Sequence, residues 1–255
     1  MRELPHIHQT APVAERVLLP GDPGRARRLA GELLHEPELL NEHRGLLGYS
    51  GAAIADGLPL TIQCTGMGGP SAAIVASELI ELGARRLLRI GTCGALLSTL
   101  QLGTLVIATA AIGDDGTSRA LGADVEIEPS TEMLDGLRQA AAAAAATADD
   151  AGAPTSEHEP VPEPEPAFGP VLSTDLFYDA EPLIAGWRRR GAIAVEMEAA
   201  TIFALAARRQ VQAACVLLAV NSLVDPGVPA LGADPERLHA REVALGRLAV
   251  AALAA

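Results

Sequence analysis

The chain has 255 residues, 49% of them hydrophobic and 20% charged, with a formal net charge of −13. That length buries a sizeable core within one domain, while the acidic balance repels a polyanion and, with aromatic residues at only 2%, excludes a nucleic-acid binder that relies on a basic field or a stacking platform. All 19 basic residues are arginine, so any anion site has to be assembled locally from guanidinium groups.

No apolar run reaches the roughly 18 uninterrupted residues of a membrane helix, and the N-terminal "MRELPHIHQTAPVAERV" has no apolar signal core. Cys64, Cys93 and Cys215 are scattered, without metal-ligand spacing. The expectation is a cytoplasmic protein with free thiols, no metal, and neither membrane nor nucleic acid as a partner.

In chain order, "RVLLPG" reads as a buried strand that runs into a turn of Gly21, Asp22, Pro23 and Gly24 and then into a helix carrying Arg25, Arg27 and Arg28. "LPLTIQCTG" reads as a second strand. "GPSAAIVASELIELGA", Gly69 to Ala84, has apolar residues at helical spacing, Pro70 and Ser71 at its start and Gly83 where a stop belongs. "RRLLRIGTCGA" and "GTLVIATAAIG" follow as strands. Residues 139–167 pass from a poly-Ala helix end into alternating Pro and Glu, a composition that disfavours packing, and are expected to form an exposed Ala/Pro/Glu-rich loop inside the domain. "GPVLSTD" and "AACVLLAVNS" resume the strand pattern. The predicted fold class is α/β: a single domain over residues 1–255 with a central, mostly mixed twisted β-sheet flanked by helices.

Three segments combine a strand end, a Gly-rich turn and an arginine: Gly21 with Arg25, Arg44 next to His43, and Arg89 followed by Gly91, Thr92 and Gly94. Glycines admit close backbone approach, Thr adds a hydroxyl and Arg a planar fork, a combination that suits an oxyanion such as phosphate at the carboxyl ends of strands. Each arginine alone also reads as a surface charge at a turn. Arg89 differs, because a guanidinium within a core strand demands an anionic partner. Arg27 and Arg28 lie further into their helix and read as a solvated face.

"AIAVEMEAATIFALAA" sets Glu196 and Glu198 around Met197 at the start of a predicted helix. Acidic residues there satisfy the macrodipole; alternatively, a carboxylate grips a sugar diol while Met supplies an adaptable apolar wall. Two carboxylates one residue apart face different ways on a helix, so at most one is expected to point into a site. Phe177 and Tyr178 stand side by side in a chain with three Phe, two Tyr and one Trp, and read either as an aromatic wall for a flat ligand or, for Phe177, as core. His6 and His8 lie in a terminal segment of the kind that is ordinarily disordered.

Taken in order, "PHIH", "PGDPGRA", "HRG", "CTGMGGPS", "LLRIGTCGA", "STDLFY" and "VEMEAA" resemble the nucleoside phosphorylase family, the trimeric and hexameric branch with bacterial purine nucleoside phosphorylases and uridine phosphorylases. The resemblance runs over most of the chain. It implies a phosphorylase/hydrolase-like fold and phosphorolysis of nucleosides to free base and (deoxy)ribose 1-phosphate, with purine nucleosides favoured and no cofactor beyond inorganic phosphate as co-substrate. It implies phosphate binding by Gly21, Arg25, Arg89 and Thr92, with Arg44 reaching in from a neighbouring subunit. Glu198 would hold the ribose hydroxyls, with Glu196 a secondary contact and Met197 against the sugar. His6 of the neighbour would meet the 5′-hydroxyl, and Phe177 would stack near the base. Such shared sites imply a homo-oligomer, a hexamer built as a trimer of dimers being favoured.

The chain departs from the family at the leaving base. Where the purine-specific members carry Ser-Asp, with the Asp as general acid, this chain has Asn221 and Ser222; where uridine phosphorylases read uracil with Gln and Arg, it has Glu181 and Leu183. Asn221, an amide able to donate and accept, is the candidate base reader, with Ser222 beside it and Asp225 within reach only through a shifted loop. Three alternatives stay open: a uridine-type pyrimidine nucleoside phosphorylase, a hydrolytic nucleosidase, and a non-catalytic nucleoside-binding homologue.

Overall fold

The computed structural model describes residues 4–150, 164–225 and 227–254. Strand β1 (Arg16–Pro20) is buried along its whole length. Helix α1 (Pro23–Leu33) starts where Asp22 accepts a hydrogen bond from the Arg25 N–H at 2.6 Å, with proline in the first turn. Strands β2 (Leu34–Asn41), β3 (Gly48–Ala53) and β4 (Pro59–Gln63) form an antiparallel meander, interrupted by a tight turn at His43–Gly45. Helix α2 (Gly69–Glu81) has the predicted proline at its start, and Gly83 follows its end at φ +117°, a conformation that favours glycine.

Strand β5 (Arg86–Ala95) leads to β6 (Leu105–Asp114), the short α3 (Gly116–Ala120) and β7 (Glu126–Ile127), and α4 (Thr131–Asp150). After β8 (Ala167–Thr174) come α5 (Glu181–Arg189), β9 (Ala194–Glu196), α6 (Ala199–Arg209), β10 (Gln212–Ser222) and α7 (Pro235–Ala254). The loop expected over 139–167 is corrected at its ends: residues 139–150 continue α4, because a run of the best helix former extends the helix, and β8 takes up the chain at Ala167. The intervening 151–163 lie outside the described residues.

The sheet is mixed. It runs from β2 through β3, β4 and β1 to β5, where it divides: β5 pairs in parallel with β10, while its end, Gly94 and Ala95, pairs antiparallel with β9. The pairs β10–β6, β6–β8 and β8–β9 then close a ring of five strands, β5 among them.

Side chains of β1 alternate between two cores, Leu18 packing with α1, α4 and α7, and Val17 and Leu19 with α2 and α6. The same two-residue period sorts β5: Leu88 and Ile90 join the first core and Leu87 the second. Arg89 therefore projects to the α2–α6 side, where the N-terminus of α6 lies. The three cysteines are free and all are buried. Among the described residues no helix is long and apolar enough to cross a membrane.

Candidate active site

Arg89, 4% exposed, is the centre of the site. Its Nε donates to Glu196 Oε2 at 2.7 Å and its Nη2 meets Glu198 Oε2. Nη1 is buried and has no hydrogen-bond partner among the described residues. That nitrogen faces Gly21: a Cβ built at Gly21 would lie 3.9 Å from it and 3.3 Å from the Gly66 carbonyl oxygen. A Cβ at Gly91 would stand 2.8 Å from Nη2 and 3.1 Å from Nη1, so any side chain there would drive the guanidinium away. Two bare backbone positions thus border an unsatisfied cationic donor, and an unpaired buried donor is costly unless an anion fills the place; Thr92 is half-buried further along β5.

Both carboxylates converge on this group, which corrects the expectation that at most one of them would. Glu196 ends β9 and Glu198 immediately precedes α6, so the pair straddles a strand-to-helix junction rather than sitting on a helix. Extended backbone puts residues i and i+2 on one face. Glu196 also receives the Ser173 hydroxyl and the backbone N–H groups of Glu198 (2.9 Å) and Ala199 (3.0 Å), so it binds the exposed donors at the start of α6 as well as Arg89. Glu198 Oε1 accepts from the Gly68 N–H at 2.5 Å, where α2 begins.

Burial by itself would lower the Arg89 pKa, but Glu198 and Glu196 raise it, and the guanidinium stays charged. Burial pushes the Glu198 carboxyl above the ordinary carboxylate range despite the opposing pull of Arg89. Burial likewise raises Cys93 and Cys215, leaving both as neutral thiols in the wall behind the cluster.

Arg25 is nearly buried at the first turn of α1, its Nε donating to Glu242 Oε1 at 2.8 Å. The Cys64 sulfur donates to the Gly21 carbonyl at 3.3 Å in the turn that leads from β1 into α1, and burial raises the pKa of that thiol. Arg27 and Arg28 are both exposed, as a solvated face requires, and Arg28 also donates to Glu242 through Nη2 at 2.8 Å.

Met197 is half-buried between the two glutamates. Phe177 and Tyr178 are 73% and 79% exposed and meet edge to face at 5.0 Å, so Phe177 is not core. Asn221 is exposed near the end of β10, its Oδ1 3.4 Å from a Cβ built at Gly94. Ser222 is tied to the chain's own turn: its hydroxyl accepts from the N–H groups of Val224 (3.3 Å) and Asp225 (2.9 Å), which does not favour a catalytic role. Asp225 accepts from the Gly227 N–H at 3.3 Å.

Arg44 and His6 are not gathered at Arg89. Arg44 is exposed with φ +57° in the turn before β3. His6 is held by α2, its Nδ1 2.7 Å from Glu78 Oε1, while Glu78 Oε2 accepts from the backbone of His6 and Ile7; the terminal segment expected to be disordered is anchored there by a buried carboxylate. Glu78, Gly68, Ser173 and Glu242 were not singled out from sequence. Gly68 and Ser173 lie within the quoted stretches "CTGMGGPS" and "STDLFY", but their bonds to Glu198 and Glu196 cross between elements, and Glu78 and Glu242 sit in no local pattern that signals a partner.

The family model of the phosphorylase superfamily matches residues 15–255. The chain is 34% identical over 238 residues to a guanosine phosphorylase of Halorubrum lacusprofundi, covering 92% of this chain and 90% of the relative. It is 36% identical over 218 residues to a DeoD-type purine nucleoside phosphorylase of Caldanaerobacter subterraneus subsp. tengcongensis, covering 83% and 84%. A crystal structure of uridine phosphorylase from Vibrio fischeri ES114, in complex with 6-hydroxy-1-naphthoic acid, superposes with a TM-score of 0.79 at 27% identity, covering 98% of this chain and 96% of that one.

Proposed function

The chain belongs to the phosphorylase superfamily, and from that premise we propose that it is a nucleoside phosphorylase, a pentosyltransferase that converts nucleoside and inorganic phosphate to free base and (deoxy)ribose 1-phosphate, with purine nucleosides favoured. The observation that carries this reading is the buried, unpartnered Nη1 of Arg89 set between Gly21 and Gly91. A hydrolase that uses water has no need of such a donor, and phosphate supplies its missing acceptor. The names of the relatives, guanosine phosphorylase and purine nucleoside phosphorylase, favour a purine base.

In the proposed reaction the bond from C1′ to the base nitrogen loosens toward an oxocarbenium-like ribosyl group, and a phosphate oxygen forms the new bond to C1′. Phosphate is both nucleophile and counter-charge, so the protein's part is positioning and electrostatic preorganisation. Arg25, Arg89, Gly21 and Thr92 hold the phosphate; Glu198, as a carboxylate, accepts from the ribose hydroxyls; Met197 lies against the sugar. The electron pair of the broken bond goes to the base. Asn221 meets that charge with an amide hydrogen bond and has no acidic proton to give, so the base takes its proton from solvent. Arg44 and His6 serve the site of a neighbouring subunit in a homo-oligomer, and the cytoplasm is the setting in which the free thiols and salvage of nucleosides fit together.

The uridine-type reading is favoured by the likeness to a uridine phosphorylase and by "GMGGPS", Arg-Ile-Gly-Thr and the Val-Asn of "LLAVNS", which look more like that branch. Against it, Glu181 and Leu183 stand where that branch carries its uracil-reading pair. An assay of purine and pyrimidine nucleosides with and without phosphate, following free base and ribose 1-phosphate, tests the proposal. Turnover is expected only with phosphate and fastest with a purine nucleoside. Release of base without phosphate would make the protein a hydrolase.

A further inference from the structure

Glu242, on α7, is 2% exposed and has no place in the reaction as described. Its two oxygens are fully engaged: Oε1 accepts from Arg25 Nε at 2.8 Å, and Oε2 from Arg28 Nε at 3.2 Å and Nη2 at 2.8 Å. Burial of a carboxylate is costly unless its partners are fixed, and α7 approaches α1 closely enough to fix them. Gly246, one turn beyond Glu242, makes this approach possible, since a Cβ there would stand 2.7 Å from Leu33 and 3.1 Å from Leu29 of α1. The bond reaches only the Nε edge of Arg25. Its two terminal nitrogens make no hydrogen bond among the described residues, and they form the edge of a guanidinium that receives an oxyanion bidentately.

We infer that Glu242 is a positioning residue for phosphate: it locks Arg25 by its Nε edge so that the terminal nitrogens face the phosphate held by Arg89. The inference rests on the phosphorylase reading of the site. Arg28 completes the charge balance of Glu242 on the solvent side and does not touch phosphate. Field and position make opposite demands here, which gives the test its sign. Removing a carboxylate adds net positive charge beside the site and would tighten phosphate if the field alone mattered; if position matters, phosphate binding weakens.

Steady-state kinetics of wild type, Glu242→Ala, Glu242→Gln and Arg28→Ala, varying each substrate at saturation of the other, separates these. Glu242→Ala is expected to raise the phosphate KM about tenfold, the scale of one charge-assisted hydrogen bond, and to leave the nucleoside KM within about twofold. Glu242→Gln keeps an acceptor for Nε and falls between wild type and Ala, about threefold in phosphate KM; Arg28→Ala stays within about twofold of wild type. A phosphate KM that is unchanged or lower in Glu242→Ala, or in Glu242→Gln if the alanine variant does not fold, overturns the inference. Equal rises in both KM values would also overturn it, as the mark of a merely structural staple. The rise in Tm that inorganic phosphate gives each variant reads the same position without turnover, and is expected to shrink in Glu242→Ala. Wild-type turnover that ignores phosphate would strike down the functional reading; phosphate-dependent turnover with an unaltered phosphate KM in the variants would strike down only the role of Glu242.

Discussion

The three nitrogens of Arg89 have three different surroundings: Nε is bound by Glu196, Nη2 by Glu198, and Nη1 by none of the described residues. The first holds the side chain and the second ties the cation to the carboxylate proposed to hold the ribose. Glu198 must be ionised to accept from sugar hydroxyls, and burial raises its pKa. The nucleoside kcat/KM of the wild type is therefore expected to fall as pH drops through a value above the ordinary carboxylate range. In Glu198→Gln the rate is lower by about 10²-fold and this acid limb is gone. A limb that persists unchanged in the variant would assign it to another group. Stability shows the same group with a defined sign: since the folded-state pKa is raised, the folded chain binds more protons between the unfolded and folded values, so this contribution is full below the unfolded pKa and is lost as pH rises through the folded one. Arg89 was legible in the sequence because a charge inside an apolar strand needs a partner. Its partners were half legible: the two glutamates stood out by composition, but their convergence depends on a strand-to-helix junction that periodicity reads as helix.

At the level of elements, Glu196 is where β9, β5, β8 and α6 meet. It takes Arg89 from β5, the Ser173 hydroxyl from β8 and two N–H groups at the start of α6. Its side chain is wholly buried and that of Arg89 is 4% exposed, so solvent screens the pair little. Glu196→Gln replaces an all-acceptor group by one whose NH2 confronts donors and leaves Arg89 short of an anion. The expected loss is about 3 kcal/mol of stability, the low end for breaking a buried ion pair, and about 6–12 °C in Tm for a chain of this size. Thermal denaturation checks this, and a Tm within 2 °C of wild type, roughly the shift of a small surface change, would mean that the junction is held by other bonds. Elements bounded by local chemistry were legible: α2 between Pro70 and Gly83, and α1 after Asp22. The link from α7 back to α1 was not, because Glu242 and Arg25 lie 217 residues apart in sequence and only the packed fold brings them together.

For the molecule as a whole, the distribution of arginines is informative against a net charge of −13. Arg25 and Arg89 are turned inward, whereas Arg44 is exposed, at φ +57°, a conformation that disfavours a side chain. The turn that carries it is firmly held: Asn41 Oδ1 accepts from the N–H groups of His8 (2.9 Å) and His43 (3.3 Å), and Asn41 Nδ2 (2.6 Å) and Gln63 Nε2 (2.9 Å) both donate to the Leu46 carbonyl. A strained, rigid and outward-facing arginine is suited to a neighbouring subunit's anion rather than its own chain's. The shared-site proposal then makes a quantitative demand. Arg44→Ala and Arg89→Ala are each expected to be nearly inactive as homo-oligomers, since every site lacks one cation. When the two variants are co-expressed in equal amounts and pair at random, half of the dimers are hybrids, and each hybrid has one site with both arginines intact and one with neither. Activity should return to about a quarter of the wild-type value per subunit, an outcome that follows from the two-fold symmetry of the interface. A mixture as inactive as two inactive parents would place Arg44 in its own chain's site, whereas an Arg44→Ala parent with wild-type activity would make Arg44 a surface charge, the reading its sequence position alone also allows.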